Sequence, residues 1–566
     1  MRKFKRKVQD FLKRHWLLEL LVFLIYKPKL FLFEYLYKFI DFNNFRKSFE
    51  LLKKYHKNNK VILDSNVKNI LFVPGKNMNL QWLQLWAVLG EIYRQRGHRI
   101  YAVTSKSNPI QNNFLKLFKC ELIHIENLKI DQSNLADDLK NEVKKLNSFE
   151  KIKDYKYLEM PIGKMALSTY SRLNLTGILD LNTEKLVEEV QYWVSYLLKT
   201  VIISQKTLKN KKISMLIFTE VFMEEYGAIY YAALKMNLNI IRMAGTVRDN
   251  AIVAQHMTDE SDRTHFSSFS KKSWELILKQ PMDDKIYKDL EQNFNDRYGD
   301  KWALSKRNQP NTKKMSIEEG KALAGVPKGK RVAIIYSHIL YDTLFFNGED
   351  IYKNYADWLI ETVKAACKND NLYWLIKIHP SNLWRGELDS LVKKGVYEEI
   401  RIIEKEIGKL PDHVDYIYPN TPISPYTWLN IADIGITTRG TSGIELGALG
   451  KIVLTAGTGR YENIGFTINS HTRQEYEKNL HNIHNVISSN KSIELGKRFA
   501  YSTFCLKPFT LDFMEPHPRT GKKEIMSTDD LVYSLKEFDE IPLSISRFIN
   551  WSFDKSEIDF LNPWNS

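Results

Sequence analysis

Two short segments of this chain carry residue types suited to holding an anion. Thr437-Thr438-Arg439-Gly440-Thr441-Ser442-Gly443-Ile444-Glu445 sets glycines and hydroxyls between a β-branched run and an apolar helical pattern. Backbone N–H groups at such a strand-to-helix turn, the Thr441 and Ser442 hydroxyls and the positive helix end together suit a phosphate or diphosphate. Glu445, one turn in, stands where an acid can accept hydrogen bonds from ribose hydroxyls. The same pattern equally fits a capped helix, with Ser442 or Thr441 as cap and Glu445 completing a capping box. The second segment, Lys377-Ile378-His379-Pro380-Ser381-Asn382, follows an apolar run directly. Ligands of open α/β sheets bind just past the carboxyl ends of strands, and a His stiffened by Pro can donate there to a phosphate or a base carbonyl. A third stretch, Ser337-His338-Ile339-Leu340-Tyr341-Asp342, also follows an apolar run. It offers His338 as a phosphate contact and Asp342 to orient a group or bind an acceptor, or else is a loop held by its own polar side chains.

The elements that must position these residues come in two blocks. In the first, Asn69–Val73, Arg99–Val103, Met215–Phe218 and Leu238–Ile241 read as strands, with helices over Leu80–Arg96 and Tyr226–Met236 between them. Such crossovers require parallel strands. The second block repeats the grammar: strands at Lys330–Tyr336, Tyr373–Ile378, Val414–Tyr418, Ile434–Thr437 and Ile452–Leu454, helices at Ile351–Cys367 and Ser442–Leu449. Alternating strands and helices in two blocks predict an α/β protein of two Rossmann-like doubly wound lobes facing a cleft. The expected limits are 51–320 for the first lobe and 328–500 for the second, joined near 310–328, with a helical tail over 501–566.

Charge separates a third part. Of the net +16, residues 1–60 hold +11, so a basic arm precedes a nearly neutral body and nucleic-acid binding is excluded as the main role. Arg2, Lys3, Lys5, Arg6, Lys7, Lys13 and Arg14 lead into an apolar run from Trp16 to Tyr26, and Lys27-Pro28-Lys29 breaks it before a second aromatic-rich run. No cleavage-site pattern follows, and Glu19, Lys27, Lys29, Glu34 and Lys38 make a spanning helix costly. Residues 1–50 are therefore expected to lie on an anionic membrane surface, each leading cation contributing ~1 kcal/mol, or else to pack on the protein's own body. The three cysteines form no CxxC pair and fit a reducing cytoplasm.

The Lys-x-His-Pro run, the Arg-Gly-Thr-Ser-Gly-x-Glu-x-x-x-Leu-Gly-Lys run and Gly457-x-Gly459-x-Tyr461 together resemble the bacterial capsule polysaccharide glycosyltransferases, Kdo transferases among them. The resemblance covers roughly 330–470 and implies a glycosyltransferase-B fold whose C-terminal lobe holds the donor nucleotide. His379 and Pro380 would then contact a cytidine monophosphate part and Thr441 and Ser442 its phosphate. His338, Lys377, Arg439, Gly440, Gly443 and Glu445 complete the expected donor site. The Ser-Ser pair common in such relatives is Thr441-Ser442 here.

Glycosyl transfer needs a base for the acceptor hydroxyl or a carboxylate nucleophile. In this fold it is expected from the first lobe, and Glu220, at the end of the Met215–Thr219 strand, is the first choice. Glu224 and Glu225 are alternatives, though acids in a first helical turn also serve the helix dipole. Asp342 is the candidate from the second lobe. No metal-ligand spacing is present, so no metal and no further cofactor is expected. The basic arm predicts peripheral attachment to the inner face of a membrane, and the resemblance implies an enzyme at the cytoplasmic face of a bacterial plasma membrane. It would move a sugar from a nucleotide donor, expected to be CMP-linked, to a lipid-linked or polysaccharide acceptor. A CDP-polyol phosphotransferase of the teichoic-acid type, a sugar-nucleotide epimerase and a non-catalytic nucleotide-binding component of a capsule complex are the competing readings.

Overall fold

Short runs of β-branched and aromatic residues become the strands of two separate parallel sheets. A computed structural model describes residues 28–58, 67–75, 80–128, 135–179, 181, 183–219, 224–299, 301–303, 311–382, 397–518, 531–538 and 540–564. Glu220 and the most basic part of the arm, residues 1–27, lie outside the described residues.

The first sheet contains β1 (Asn69–Val73), β2 (Arg99–Thr104), β3 (Glu121–His124), β4 (Met215–Phe218), β5 (Asn239–Gly245) and β6 (Ala251–His256). Its order is β6-β5-β4-β1-β2-β3, parallel from β5 to β3, with β6 antiparallel to β5. The second contains β7 (Val332–Tyr336), β8 (Tyr373–Lys377), β9 (Val414–Ile417), β10 (Ile434–Thr437), β11 (Ile452–Ala456) and β12 (Ile468–Ser470), all parallel in the order β12-β11-β10-β7-β8-β9. This is the doubly wound strand order 3-2-1-4-5-6, and it places a topological switch point between β7 and β10. β4 and β10 are buried along their whole length, as strands covered by helices on both faces must be. The two doubly wound lobes expected from the strand pattern are present. The helix foreseen from Ile351 starts later, at Tyr355, because the Asn354 side chain caps it by accepting from the Asp357 N–H.

Residues 501–566 are not a helical tail. Among the described residues they hold the π-helical turn Ser502–Leu506, β13 (Phe509–Thr510), β14 (Met514–Pro518), β15 (Leu531–Leu535) and the helix Leu543–Phe553. β13 adds antiparallel to β6, extending the first sheet, and β14 pairs with β15. Aromatic residues scattered without a clean helical period disguised this segment: Phe509, Phe513, Phe548, Trp551 and Phe560 are buried in one apolar cluster with Phe72, Trp86 and Ile92. The tail is thus part of the first lobe's core.

The helix Pro28–Asn58 carries the end of the arm into the same core. Leu52 and Tyr55 are buried, and Gln84 Nε2 donates to Ser48 Oγ at 2.7 Å. Packing on the body therefore accounts for residues 45–55. Among the described residues no helix is long and apolar enough to cross a membrane.

The loop after β7 joins the lobes. Leu340, Leu344, Phe345 and Phe346 are buried in a cluster shared with Phe149, Tyr226 and Tyr231 of the first lobe. Thr343, Phe345 and Asn347 all have positive φ, a conformation costing roughly 1–3 kcal/mol each that packing must hold in place.

A buried ion pair joins the two ends of the tail, Lys507 Nζ to Asp559 Oδ1 at 2.8 Å with both side chains fully inaccessible, and Lys507 Nζ donates to Ser268 O of the body. Asp559 also accepts from the Ser270 N–H at 2.8 Å. Lys507→Ala leaves that carboxylate buried and unpaired, so unfolding in urea should show a loss of about 3–5 kcal/mol. A loss below about 1 kcal/mol, the range of exposed pairs, would show that the tail is not held this way.

Candidate functional site

The carboxyl ends of β7, β8 and β10 converge at the switch point of the second sheet, each followed by one of the segments singled out from the sequence. After β10 the chain turns at Gly440 into the helix Thr441–Ala448. The Gly440 N–H donates to Thr437 Oγ1 at 3.1 Å, and a Cβ at Gly440 would stand 2.8 Å from that oxygen, so a larger residue would force the Thr437 side chain to shift. No side chain caps this helix. Its first amides, at Thr441 and Ser442, lack intrahelical acceptors and sit beside the two part-buried hydroxyls. That is the arrangement of an anion site.

His379 stands past the end of β8 with a defined tautomer. Its Nδ1 accepts from the Ser381 N–H at 3.1 Å and lies 2.8 Å from Ser381 Oγ, so the neutral ring carries its proton on Nε2. Pro380 fixes the backbone between the ring and that N–H. Lys377 ends β8, where burial pushes its ammonium down to about 8.

Other expected donor contacts are committed to holding the site together. His338 Nε2 accepts from the Thr438 N–H at 3.4 Å and contacts the Thr438 hydroxyl, while its ring stacks on Tyr355 at 4.7 Å. It ties β7 to β10 at the switch point rather than offering that nitrogen to a phosphate. Arg439 is 5% exposed and spends its guanidinium internally: Nε donates to Thr458 O at 3.1 Å, Nη1 to Tyr355 Oη at 3.0 Å and Nη2 to Asp350 at 2.6 Å. Glu445 is buried and ion-paired at 2.7 Å with Arg297, on the helix Asp284–Tyr298 that packs against the Glu445 helix, so its carboxylate is taken instead of standing open to a ribose. Gly443 makes room for Tyr461, whose Oη would meet a Cβ there at 2.3 Å and donates to Gly440 O at 3.0 Å.

In the first lobe, the helix Glu224–Lys235 follows β4, beside β1, at that sheet's own switch point. Glu224 opens it with φ +48, and its N–H donates to Thr169 Oγ1 at 3.1 Å. A left-handed glutamate at a helix start is a strained position of the kind that clusters at functional sites. Glu225 is buried and accepts from Tyr196 Oη. Asp342, expected to act in catalysis, pairs with Arg172 of the helix Ile162–Asn174 at 2.6 Å and so bridges the lobes.

Two residues escaped the sequence reading. His265, from the first lobe, places its backbone N–H on Gly459 O at 2.6 Å, and Arg460 Nη1 donates to Arg439 O at 2.9 Å. His265-Phe266-Ser267 repeats the His-x-Ser spacing of His379-Pro380-Ser381, with the same Nδ1 contact to the Ser N–H at 3.1 Å. That repeated spacing was the available signal. Among the described residues no three His, Cys, Asp or Glu side chains group so as to hold a metal ion.

No family model matches the chain, and no curated protein matches it. Several solved structures show a likeness. The beta Kdo 2,4 transferase KpsC of Thermosulfurimonas dismutans is 14% identical with a TM-score of 0.31, over 57% of this chain and 84% of that one. UDP-GlcNAc 2-epimerase from Neisseria meningitidis is 11% identical with a TM-score of 0.25, over 76% and 95%. MurG of Acinetobacter baumannii is 8% identical with a TM-score of 0.27, over 77% and 94%. Likeness at this level carries no argument about activity, which rests on the chain's own residues.

Burial, with Arg460 beside one ring and Arg439 beside the other, holds His265 and His338 well below the ordinary histidine value. Both are neutral in the folded chain at pH 7, whereas in the unfolded chain they titrate near ~6.5. Below that pH the unfolded state binds more protons, so their contribution is whole above it and is lost as pH falls. The loss is up to about 1.4 kcal/mol per pH unit for each ring. Urea unfolding at pH 7 and pH 5.5 should show this fall, and His338→Gln should remove part of the slope. An unchanged slope in the variant would mean that His338 titrates normally.

Proposed function

We propose that this chain is a glycosyltransferase that moves a sugar from a nucleotide-activated donor, the nucleotide being cytidine-based, to a membrane-associated polysaccharide or glycolipid acceptor. The observation that carries the reading is the uncapped helix start at Thr441–Ser442, placed at the switch point of a 3-2-1-4-5-6 sheet with the oriented His379 on the neighbouring loop. Helix amides and hydroxyls there would take the donor phosphate, and the His379 Nε2–H would reach the phosphate or base. Phosphate charge that builds up as the sugar leaves would meet fixed donors that need no reorganisation.

The acceptor enters on this reading from the first lobe. Its hydroxyl oxygen bonds to the donor's anomeric carbon as the bond from that carbon to the phosphate oxygen breaks. The phosphate keeps the electron pair and the hydroxyl proton passes to Glu224. The strained backbone of Glu224 supports this role, as does its place at the switch point of the first sheet. Arg439, Glu445 and His338 act as positioning residues that keep the donor turn in register. Attachment to the inner face of the membrane through the basic residues 1–27 belongs to the same proposal and is supported by their charge.

Melting the full-length chain with CMP, CDP, UDP and GDP tests the donor site. CMP at about 100 times its dissociation constant should add about 2.7 kcal/mol of stability. His379→Ala should remove that gain. Glu224→Gln should keep nucleotide stabilisation while cutting sugar release from the donor by about 10²-fold or more. Stabilisation by no nucleotide would end the donor reading, and full activity in Glu224→Gln would end the assignment of the base.

A further inference from the structure

The seam between the lobes collects basic groups beside the donor turn. Arg460 lies in the Gly457-x-Gly459-x-Tyr461 stretch after β11, and His265 follows β6 in the first lobe. They are wired together through one serine. Arg460 Nε donates to Ser267 Oγ at 2.9 Å, and Ser267 Oγ lies 2.7 Å from His265 Nδ1, which also accepts the Ser267 N–H. With Nδ1 filled as an acceptor, the neutral ring keeps its proton on Nε2. The remaining donors, His265 Nε2–H and Arg460 Nη2, make no hydrogen bond to any described residue.

The neighbouring charges sharpen the point. Lys507 is paired with Asp559, Arg439 with Asp350 and Arg297 with Glu445. Asp262 receives the Tyr230 and Tyr231 hydroxyls and lies within electrostatic reach of Arg242. Arg460 forms no ion pair among the described residues; the acid within its reach, Glu445, is the one already held by Arg297. A part-buried guanidinium with an unused N–H edge, beside a neutral imidazole donor, is matched to an oxyanion.

We infer that the lobe seam carries an anion clamp, with His265 Nε2–H from the first lobe and Arg460 Nη2 from the second as its two donors. The ligand class is a phosphate-type oxyanion. The clamp rests on the donor reading only for which molecule supplies that group. Because each lobe contributes one donor, the subsite is whole only while the seam is closed, so anion binding and lobe closure reinforce each other.

Inorganic phosphate titrated into the full-length chain at constant ionic strength, followed by thermal melting, tests this directly. The native chain should show saturable stabilisation. Arg460→Gln and His265→Asn should each weaken the phosphate midpoint by about ten-fold or more. His265→Gln, which keeps an N–H donor near the Nε2 position, should restore most of it, a rescue that a merely structural histidine would not give. No saturable effect in the native chain overturns the clamp, as does equal phosphate binding in Arg460→Gln and His265→Asn. Competition between CMP and phosphate would assign the clamp to the donor phosphate; additive binding would assign it to a second anionic group on donor or acceptor. Phosphate binding without any nucleotide effect would leave the clamp standing and remove the donor reading. Nucleotide binding that is indifferent to all three variants, with no phosphate effect, would do the reverse.

Discussion

The buried guanidinium of Arg439 is the constraint on which the rest of the site depends. It sits at the end of the central strand β10, 5% exposed, and reaches Asp350, Tyr355 and the carbonyl of Thr458 at once. A buried charge is tolerable only when paired and fully hydrogen-bonded, and the planar fork of arginine can satisfy several acceptors in fixed directions. Two stretches distant from it in sequence are thereby set against one strand end: the loop after β7 running into the helix Tyr355–Cys367, and the turn after β11. A lysine would keep the charge and lose the geometry.

That anchorage has a second effect at the seam. The loop after β7 holds three non-glycine residues at positive φ and buries four apolar side chains against the first lobe. Asp350, at the far end of this loop, is the residue Arg439 grips. Arg172 holds Asp342, nearer its start. The strain is therefore confined between two ion pairs, one within the second lobe and one across the seam. Loop, seam and the Gly440 turn form a single mechanical unit.

The strand pattern of both lobes was legible because parallel strands buried on both faces read as near-continuous apolar runs. The turn at Gly440 was legible because glycines and hydroxyls at a strand-to-helix junction are locally unusual. What the sequence concealed was tertiary. Nothing local shows that Arg439, Glu445 and His338 are taken by Asp350, Arg297 and Thr438, since those partners come from other elements. The tail was misjudged because β13 is two residues long and its neighbours owe their conformation to the first lobe's core rather than to their own propensity. His265 passed unnoticed because a lone loop histidine is usually structural, and only its position beside Arg460 gives it meaning.

The return of the tail to β6 also bears on how the chain comes into being. β1 to β6 leave the ribosome long before β13, yet their outer edge and much of their core wait for residues 509–564 to be made. The second lobe, whose six strands lie within 332–470, can close around its own residues meanwhile. The part made first is therefore the part finished last. For that interval the nascent first lobe carries an unpaired strand edge and uncovered aromatic surface, the features that chaperones recognise and that favour misassembly.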